Sequence, residues 1–152
     1  MEGTNPDKRK VQLVVCAIIV ADNKVLLIHH AKLKKWLPPG GHIDENETPD
    51  QAVVREVKEE TGLDFILSDY GPVRSTADII ERTAVPFHTN VHNVGDHDHY
   101  CSYYLGTVKS TEAKINKEST DMRWVNMKDF ESLVGNLPEN IKEMVRFALS
   151  RK

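Results

Sequence analysis

Residues 41–63, GHIDENETPDQAVVREVKEETGL, form the stretch of this chain that decides its fold. In an α-helix, Glu56, Glu59 and Glu60 stand at positions i, i+3 and i+4 and therefore share one face. Three like charges at that spacing repel one another unless a positive charge lies between them. Hard divalent cations such as Mg²⁺ prefer carboxylate oxygens as ligands, so the spacing predicts a helix whose acidic face binds a metal ion.

The ends of this helix are marked by its own sequence. Thr48 is placed to cap the first turn, Pro49 suits the first helical position, and Gln51 completes a capping box. Gly62 permits the left-handed backbone that ends many helices. Arg55 lies on the same helix and can orient or neutralise a carboxylate. The buried side of the helix is predicted to consist of Ala52, Val53 and Val57.

The composition indicates a single globular domain over residues 1–152, of which residues 1–10 are polar and expected to be flexible. Hydrophobic residues make up 39% and charged residues 28% of the chain, as in ordinary globular proteins. A formal net charge of −3, with no basic stripe, argues against nucleic acid as a partner. Cys16 and Cys101 both fall in apolar segments, which favours buried free thiols over a disulfide.

The N-terminal region has some features of a secretory signal. Residues 8–10 are basic and precede an apolar run over residues 11–21. That run is too short to span a bilayer, it is rich in β-branched residues, and Asp22 and Asn23 follow it as a turn. It therefore predicts the first strand of a hairpin, and with it a cytoplasmic protein that has no membrane partner.

The remaining elements follow from hydrophobic periodicity and turn signals. Residues 11–20 and 24–29 are typical of a β-hairpin, followed by a basic loop at residues 31–35. Later strands are predicted at residues 65–76, 79–85, 100–108 and 122–125, and helices at residues 128–134 and 138–149. This order predicts an α/β fold in which one mixed β-sheet lies between helices.

The acidic helix and its flanks resemble the signature of the Nudix hydrolase family, which includes the MutT-like proteins. That signature is a Gly, five residues, a Glu, seven residues, and then Arg-Glu-apolar-any-Glu-Glu-any-Gly-apolar. The preceding Trp-Leu-Pro-Pro-Gly-Gly at residues 36–41 is also similar to the family's pattern. A merely solvated acidic helix would explain neither the glycines nor this turn. Every specified position is filled here, by Gly41, Glu47, Arg55, Glu56, Val57, Glu59, Glu60, Gly62 and Leu63.

The resemblance implies an α/β/α sandwich and a hydrolase that cleaves the pyrophosphate linkage of a nucleoside diphosphate derivative. A nucleoside triphosphate, in a housecleaning role, is one such substrate. The implied cofactor is Mg²⁺, for which Mn²⁺ can substitute. By the same resemblance, Glu56 and Glu60 would be the main metal ligands. Glu59 would be a further ligand or the base that activates water.

Other residues would support this set. The resemblance implies that Arg55 orients the glutamates and that Glu47 holds Arg55 or reaches the metal through water. It also implies that the backbone of Gly41 approaches the metal and the phosphate. Many family members add a carboxylate from a later loop as a ligand or base. Glu118 or Asp121 could fill that role here, or neither could take part.

Substrate contacts are less sharply defined by the sequence. Trp36, Tyr103 or Tyr104 could stack on a base, although aromatic residues at strand ends are often part of a core or its rim. His97 and His99 would share one face if they lie on a strand. A His-x-His pair beside aspartates could bind a transition metal, or contact a phosphate when protonated. A solvated polar loop is the plain alternative.

Two other functions on the same fold stay open. A non-catalytic nucleotide-binding or regulatory module would be expected to lack part of the glutamate set, which is complete here. An isopentenyl-diphosphate isomerase-like enzyme would need a catalytic cysteine, and neither Cys16 nor Cys101 lies in a suitable context. The resemblance is also compatible with a homodimer.

Overall fold

A computed structural model of the chain describes residues 9–73, 77–133 and 137–151. The strands in this part of the chain are β1 (Val11–Ala21), β2 (Lys24–His30), β3 (Trp36–Leu37), β4 (Gly40–His42), β5 (Ile66–Leu67), β6 (His88–Asn93), β7 (Asp98–Thr107) and β8 (Ser119–Val125). The helices are α1 (Pro49–Thr61), α2 (Met127–Ser132) and α3 (Glu139–Ser150).

Strand β1 is the centre of one mixed sheet. It pairs in parallel with β7, from Val11 opposite Asp98 to Ile19 opposite Gly106. Its other edge is shared by β4 and by β2, both antiparallel to it. Strands β5 and β6 pair with β7, and β3 and β8 pair with β2. Residues 14–19 are all buried, as expected for a strand that is covered on both faces.

The two faces of the sheet carry separate hydrophobic clusters. Alternate residues of β1 point to opposite faces, so Ile18 lies in a cluster with Phe130 of α2 and Val145 of α3. Ile19 lies in the other cluster, with Val57 of α1. The α/β/α sandwich is therefore confirmed, with α1 on the opposite face from α2 and α3.

Helix α1 begins and ends where its sequence predicts. The side chain of Thr48 accepts a hydrogen bond from the N–H of Gln51, and the side chain of Gln51 accepts one from the N–H of Thr48. Gly62 has a φ of 74° and its N–H donates to the carbonyl of Lys58. The predicted apolar side is buried, and it consists of Ala52, Val53 and Val57.

The region after α1 departs most from the sequence prediction. The strands predicted over residues 65–76 and 79–85 are wrong for the residues described, of which only Ile66–Leu67 is a strand. Residues 74–76 lie outside the described part of the chain. The β-branched residues that suggested these strands are largely exposed, as Ile80 is at 106%, because no neighbouring strand covers them.

Hydrogen bonds to side chains organise this region instead. The carboxylate of Asp69 accepts from the N–H groups of Gly71 and Val85 and forms an ion pair with Arg82. Such side-chain bonds to backbone compete with strand pairing. The segment therefore forms an irregular loop between β5 and β6.

Strand β6 was not among the predicted strands. Its sequence, HTNVHN, is polar, and most of its side chains are partly or fully exposed. It pairs with β7 at the edge of the sheet, where polar residues are common because only one face needs covering. The polar sequence of this edge strand therefore resembles that of a loop, and it did not predict a strand.

The remaining boundaries agree closely with prediction. Helix α2 ends at Ser132, while position 134 of the predicted helix lies outside the described residues. Helix α3 follows Pro138 as expected. Cys16 and Cys101 are free and buried, which confirms the prediction for both thiols.

The start of the described chain is held to the sheet. Arg9 lies 3.0 Å from a carboxylate oxygen of Asp98, and the N–H of Asp98 donates to the carbonyl of Lys10. These contacts fix the last two residues of the N-terminal segment that the sequence suggests is flexible; residues 1–8 lie outside the described part. Among the described helices, none has the length and apolar character needed to cross a membrane.

Candidate active site

Arg55 of α1 forms hydrogen bonds with several of the acidic side chains around it. Its Nε and Nη2 donate to the two carboxylate oxygens of Glu47, at 2.7 and 3.0 Å. Its Nη1 donates to Glu56 at 3.0 Å and to Glu59 at 3.2 Å. Nη2 also donates to the backbone carbonyl of His42 at 2.9 Å. One guanidinium thus ties the helix to the loop before it and orients three carboxylates.

The bidentate contact fixes the charge states of Arg55 and Glu47. The hydrogen bond to Glu47 raises the pKa of Arg55 above its ordinary value. The hydrogen bond from Arg55 lowers the pKa of Glu47. Glu47 is therefore charged and holds Arg55, which is one of the two roles that the family resemblance implies for it.

Glu60 is the buried member of the cluster, with 9% of its surface exposed. Its Oε2 accepts a hydrogen bond from the N–H of Gly40 at 2.9 Å. Burial raises the pKa of Glu60 to about 8, and the charges of Glu56, Glu118 and Glu59 add to the shift against the effect of that hydrogen bond. A carboxylate in this position has a strong electrostatic preference for a cation beside it.

Glu56 lies against the glycine turn. A Cβ atom at Gly41 would come within 2.5 Å of the Glu56 Oε1, so any other residue there would require the Glu56 carboxylate to shift. Burial raises the pKa of Glu56, and the charges of Glu59 and Glu118 contribute, while Arg55 opposes the shift. The backbone at residue 41 and the carboxylate at residue 56 therefore face the same space, as the sequence suggests.

The loop before β8 brings a fourth carboxylate within electrostatic reach. The charge of Glu118 helps to raise the pKa of both Glu56 and Glu60. Two hydrogen bonds hold this loop to the C-terminal end of α1: Asn116 donates to the carbonyl of Glu59 at 3.2 Å, and the N–H of Lys114 donates to Thr61 at 2.8 Å. The alternative carboxylate, at position 121, instead accepts from the next N–H and lies 3.7 Å from Arg123.

The donor set suits a hard divalent cation. Carboxylate oxygens are offered by Glu56, Glu59 and Glu60. The raised pKa of Glu60 shows that its negative charge is not fully balanced by a neighbouring positive group. Within the described residues, no three Asp, Glu, His or Cys side chains are already arranged to hold an ion.

The pKa of Glu60 makes stability depend on pH. Its folded-state pKa of about 8 exceeds its ordinary value of 4.5, so between these values the folded chain binds more protons than the unfolded chain. We expect the free energy of unfolding, measured with urea in EDTA, to fall as pH rises through this window, by a few kcal/mol. Glu60→Gln should remove that fall, and an equal fall in this variant would contradict the assignment.

The predicted stacking residues lie deep in the structure. Trp36 is only 6% exposed and belongs to the core on the α3 side of the sheet. The guanidinium of Arg123 lies 5.1 Å from its ring centroid, and the ring of His29 approaches it edge-on. Tyr103 and Tyr104 are also buried. As the structure stands, Trp36 could stack on a base only if its present neighbours moved.

The histidines lie at one end of the sheet. His97 precedes β7, so the two residues do not lie on one strand as the prediction required, but their Nε2 atoms are 3.1 Å apart. The rings of His42 and His92 lie at centroid distances of 5.2 and 5.8 Å from that of His99. Burial lowers the pKa of His99, and the charges of His42, His97 and His92 lower it further.

Three contributions to the site were missed by sequence reasoning. They are the N–H of Gly40 that binds Glu60, the side chain of Asn116, and the ring of His42. The first could have been anticipated from the adjacent glycines. The other two depend on long-range pairing, for which the local sequence carries no signal.

Comparison with known proteins agrees with this geometry. The family model described as the NUDIX domain matches residues 10–147. A solved structure of a NUDIX-family hydrolase from Clostridium perfringens superposes with a TM-score of 0.78 and 35% identity, covering 91% of this chain and 95% of that one.

Two curated relatives show similar levels of identity. One is a Caenorhabditis elegans protein whose name places it among the nudix hydrolases, with 33% identity over 131 residues, or 80% of this chain. The other, from Lactococcus lactis subsp. cremoris, is named "Probable DHNTP pyrophosphohydrolase" and is 31% identical over 111 residues, or 73% of this chain. The chain spans 31% and 61% of these relatives' own lengths. With a family model that matches nearly its whole length, the chain belongs to the Nudix family.

Proposed function

We propose that the chain is a Mg²⁺-dependent hydrolase that cleaves the pyrophosphate linkage of a nucleoside diphosphate derivative, with nucleoside triphosphates as the leading class. The observation that carries the proposal is the set of three glutamates on one face of α1: Arg55 holds Glu56 and Glu59, and the buried Glu60 accepts from the N–H of Gly40. Mn²⁺ would substitute, because it too accepts carboxylate ligands. The name of the Lactococcus lactis relative, a pyrophosphohydrolase, supports the reaction class.

The chemistry needs charge to be neutralised at a phosphoanhydride. When bound, Mg²⁺ would shield the phosphate oxygens and lower the pKa of a bound water. Glu56 and Glu60 are the proposed principal ligands, with Glu59 as a further ligand or the base. The lack of a side chain at Gly41 lets the Glu56 carboxylate lie against the backbone of the turn, where a Cβ atom would collide with it.

Glu118 is the proposed additional carboxylate. Its charge acts on two of the proposed ligands, and its loop is bonded to α1. It could take the proton of the attacking water or complete the ligand set. Asp121 lacks that relation, so we propose Glu118 in preference to it.

Two alternatives are less well supported. A non-catalytic nucleotide-binding module would not require the complete glutamate set or the buried Glu60. An isopentenyl-diphosphate isomerase-like enzyme would need an accessible cysteine, but Cys16 and Cys101 are buried. Burial and the hydrogen bond with Cys101 raise the pKa of Cys16, which disfavours a reactive thiolate. A cytoplasmic location and a homodimer stay predictions.

A substrate panel tests the proposal. Purified protein is incubated with Mg²⁺ or Mn²⁺ and with nucleoside triphosphates, nucleotide sugars or dinucleoside polyphosphates, and release of pyrophosphate or of phosphate-bearing products is measured. We expect turnover of at least one nucleoside triphosphate, its loss in EDTA, and no reaction with a nucleoside monophosphate, which has no phosphoanhydride. An inactive protein across the whole panel would favour the non-catalytic module.

The same assay distinguishes the two loop carboxylates. We expect Glu118→Gln to reduce turnover by about 10²–10⁴-fold if it is the base, whereas Asp121→Asn should change it little. Glu118 directly precedes β8 and Asp121 lies within it, so the second variant is a nearby control. Wild-type turnover in Glu118→Gln would remove Glu118 from the proposed set.

A further inference from the structure

The β6–β7 hairpin places three imidazoles together at the end of the sheet. His92 of β6 is the direct cross-strand partner of His99 of β7, and His97 precedes His99 by two residues. Their rings are only partly buried, so solvent ions can reach them. None of these side chains is used in the hydrolysis proposed above.

We propose that His92, His97 and His99 form a binding site for a divalent transition-metal ion such as Zn²⁺. The Nε2 atoms of His97 and His99 already lie 3.1 Å apart, and metal binding would release to solvent the proton that they share. Tetrahedral zinc with Zn–N bonds of about 2.0–2.1 Å separates its nitrogen ligands by about 3.3–3.4 Å. The observed spacing is close to that requirement.

A hydrogen bond to the opposite ring nitrogen directs the Nε2 of His97. The Nδ1 of His97 lies 2.6 Å from a carboxylate oxygen of Asp96. An oxygen acceptor at Nδ1 keeps the proton there and leaves the lone pair on Nε2. Histidine ligands of metals are commonly oriented by carboxylate or carbonyl partners in this way.

The third ligand requires a side-chain movement. The ring centroids of His92 and His99 are 5.8 Å apart, and no three such groups in the described residues already surround one point. A rotation of the His92 side chain would bring its Nε2 toward the other two. The flanking ring of His42 is less free to join, because its Nε2 lies 2.7 Å from the Gln12 side-chain oxygen.

Ligand chemistry keeps this site distinct from the glutamates. Imidazole nitrogen suits zinc, nickel and copper, whereas carboxylate oxygen suits magnesium. An ordinary polar hairpin, in which His97 and His99 simply share a hydrogen bond, is the competing explanation. It predicts no saturable binding of a transition metal in excess Mg²⁺.

Metal titration of the full chain tests the proposal. Protein purified without a histidine tag is stripped with EDTA, dialysed into excess Mg²⁺ to occupy the carboxylates, and titrated with Zn²⁺ against a chromophoric chelator. We expect one equivalent per chain in the wild type and at least about 100-fold weaker binding in His97→Ala and in His99→Ala. Asp96→Asn should weaken binding by about 10–100-fold, since it removes only the orienting partner.

Matched variants localise the ion. His88→Ala removes another histidine of β6 whose ring lies against Tyr103 instead, and it should bind Zn²⁺ as the wild type does. The Glu56→Gln, Glu60→Gln double variant should also keep the zinc equivalent while losing hydrolysis, so failure of one proposal is separable from failure of the other. His97 lies outside the strands, so the His97→Ala variant should fold normally. Wild-type affinity for Zn²⁺ in this variant would overturn the proposed site.

Discussion

Glu60→Gln is expected to reduce turnover by more than about 100-fold while the fold stays intact. Removal of a group that merely orients a metal ligand typically costs 10–100-fold, and Glu60 is proposed as a ligand itself. Glutamine keeps a side-chain oxygen to accept the hydrogen bond from Gly40 but has no negative charge. The loss should therefore appear as a lower kcat and weaker Mg²⁺ binding.

The measurement is steady-state kinetics over a Mg²⁺ series, together with a urea unfolding curve for each protein. Glu143→Gln is a suitable control, because it makes the same chemical change on an exposed position of α3 on the opposite face of the sheet. Undiminished turnover in Glu60→Gln would remove this residue from the mechanism. A lower free energy of unfolding would show that the residue stabilises the fold.

Arg55→Lys is expected to lower kcat by about 10–100-fold although it keeps the positive charge. The fork of Arg55 makes five hydrogen bonds: two to Glu47, one each to Glu56 and Glu59, and one to the carbonyl of His42. A lysine ammonium is a single point of charge and cannot hold acceptors on α1 and on the preceding segment at the same time. The glutamates should then lose their orientation while their electrostatic environment changes little.

Arg146→Lys provides the comparison, since this arginine of α3 lies 3.9 Å from Glu131 and over the ring of Phe130 in α2, away from the glutamates of α1. It should leave kcat unchanged. If Arg55→Lys retained full activity, charge alone would be sufficient at this position and the proposed orienting role would be wrong. A larger effect on KM than on kcat would point instead to substrate binding by Arg55.

The acidic helix could be predicted from sequence because its information is local. Thr48, Pro49 and Gly62 act on the backbone of their own helix, and the spacing of the glutamates fixes the face they share. The Arg55–Glu47 contact is one of the two roles that the family resemblance implies for Glu47. The helix and the face that its glutamates share could therefore be predicted from the sequence, whereas metal binding there stays a prediction.

Elements that depend on distant partners were harder to predict. The polar strand β6 exists because β7 offers an edge for it, and nothing within its own six residues marks that edge. Conversely, the β-branched residue Ile80 has strand propensity but no partner. The surroundings of Trp36 were hard to predict for the same reason. Aromatic residues occur both in cores and in binding surfaces, and Arg123, which lies over the Trp36 ring, comes from a separate strand.

The guanidinium at position 55 has a consequence for how the protein matures. Because it supplies an internal countercharge to three acids, this region need not wait for an incoming ion before it can take shape. We therefore expect the chain to keep its fold when divalent ions are removed with EDTA, because these three acids already have a fixed partner of opposite charge.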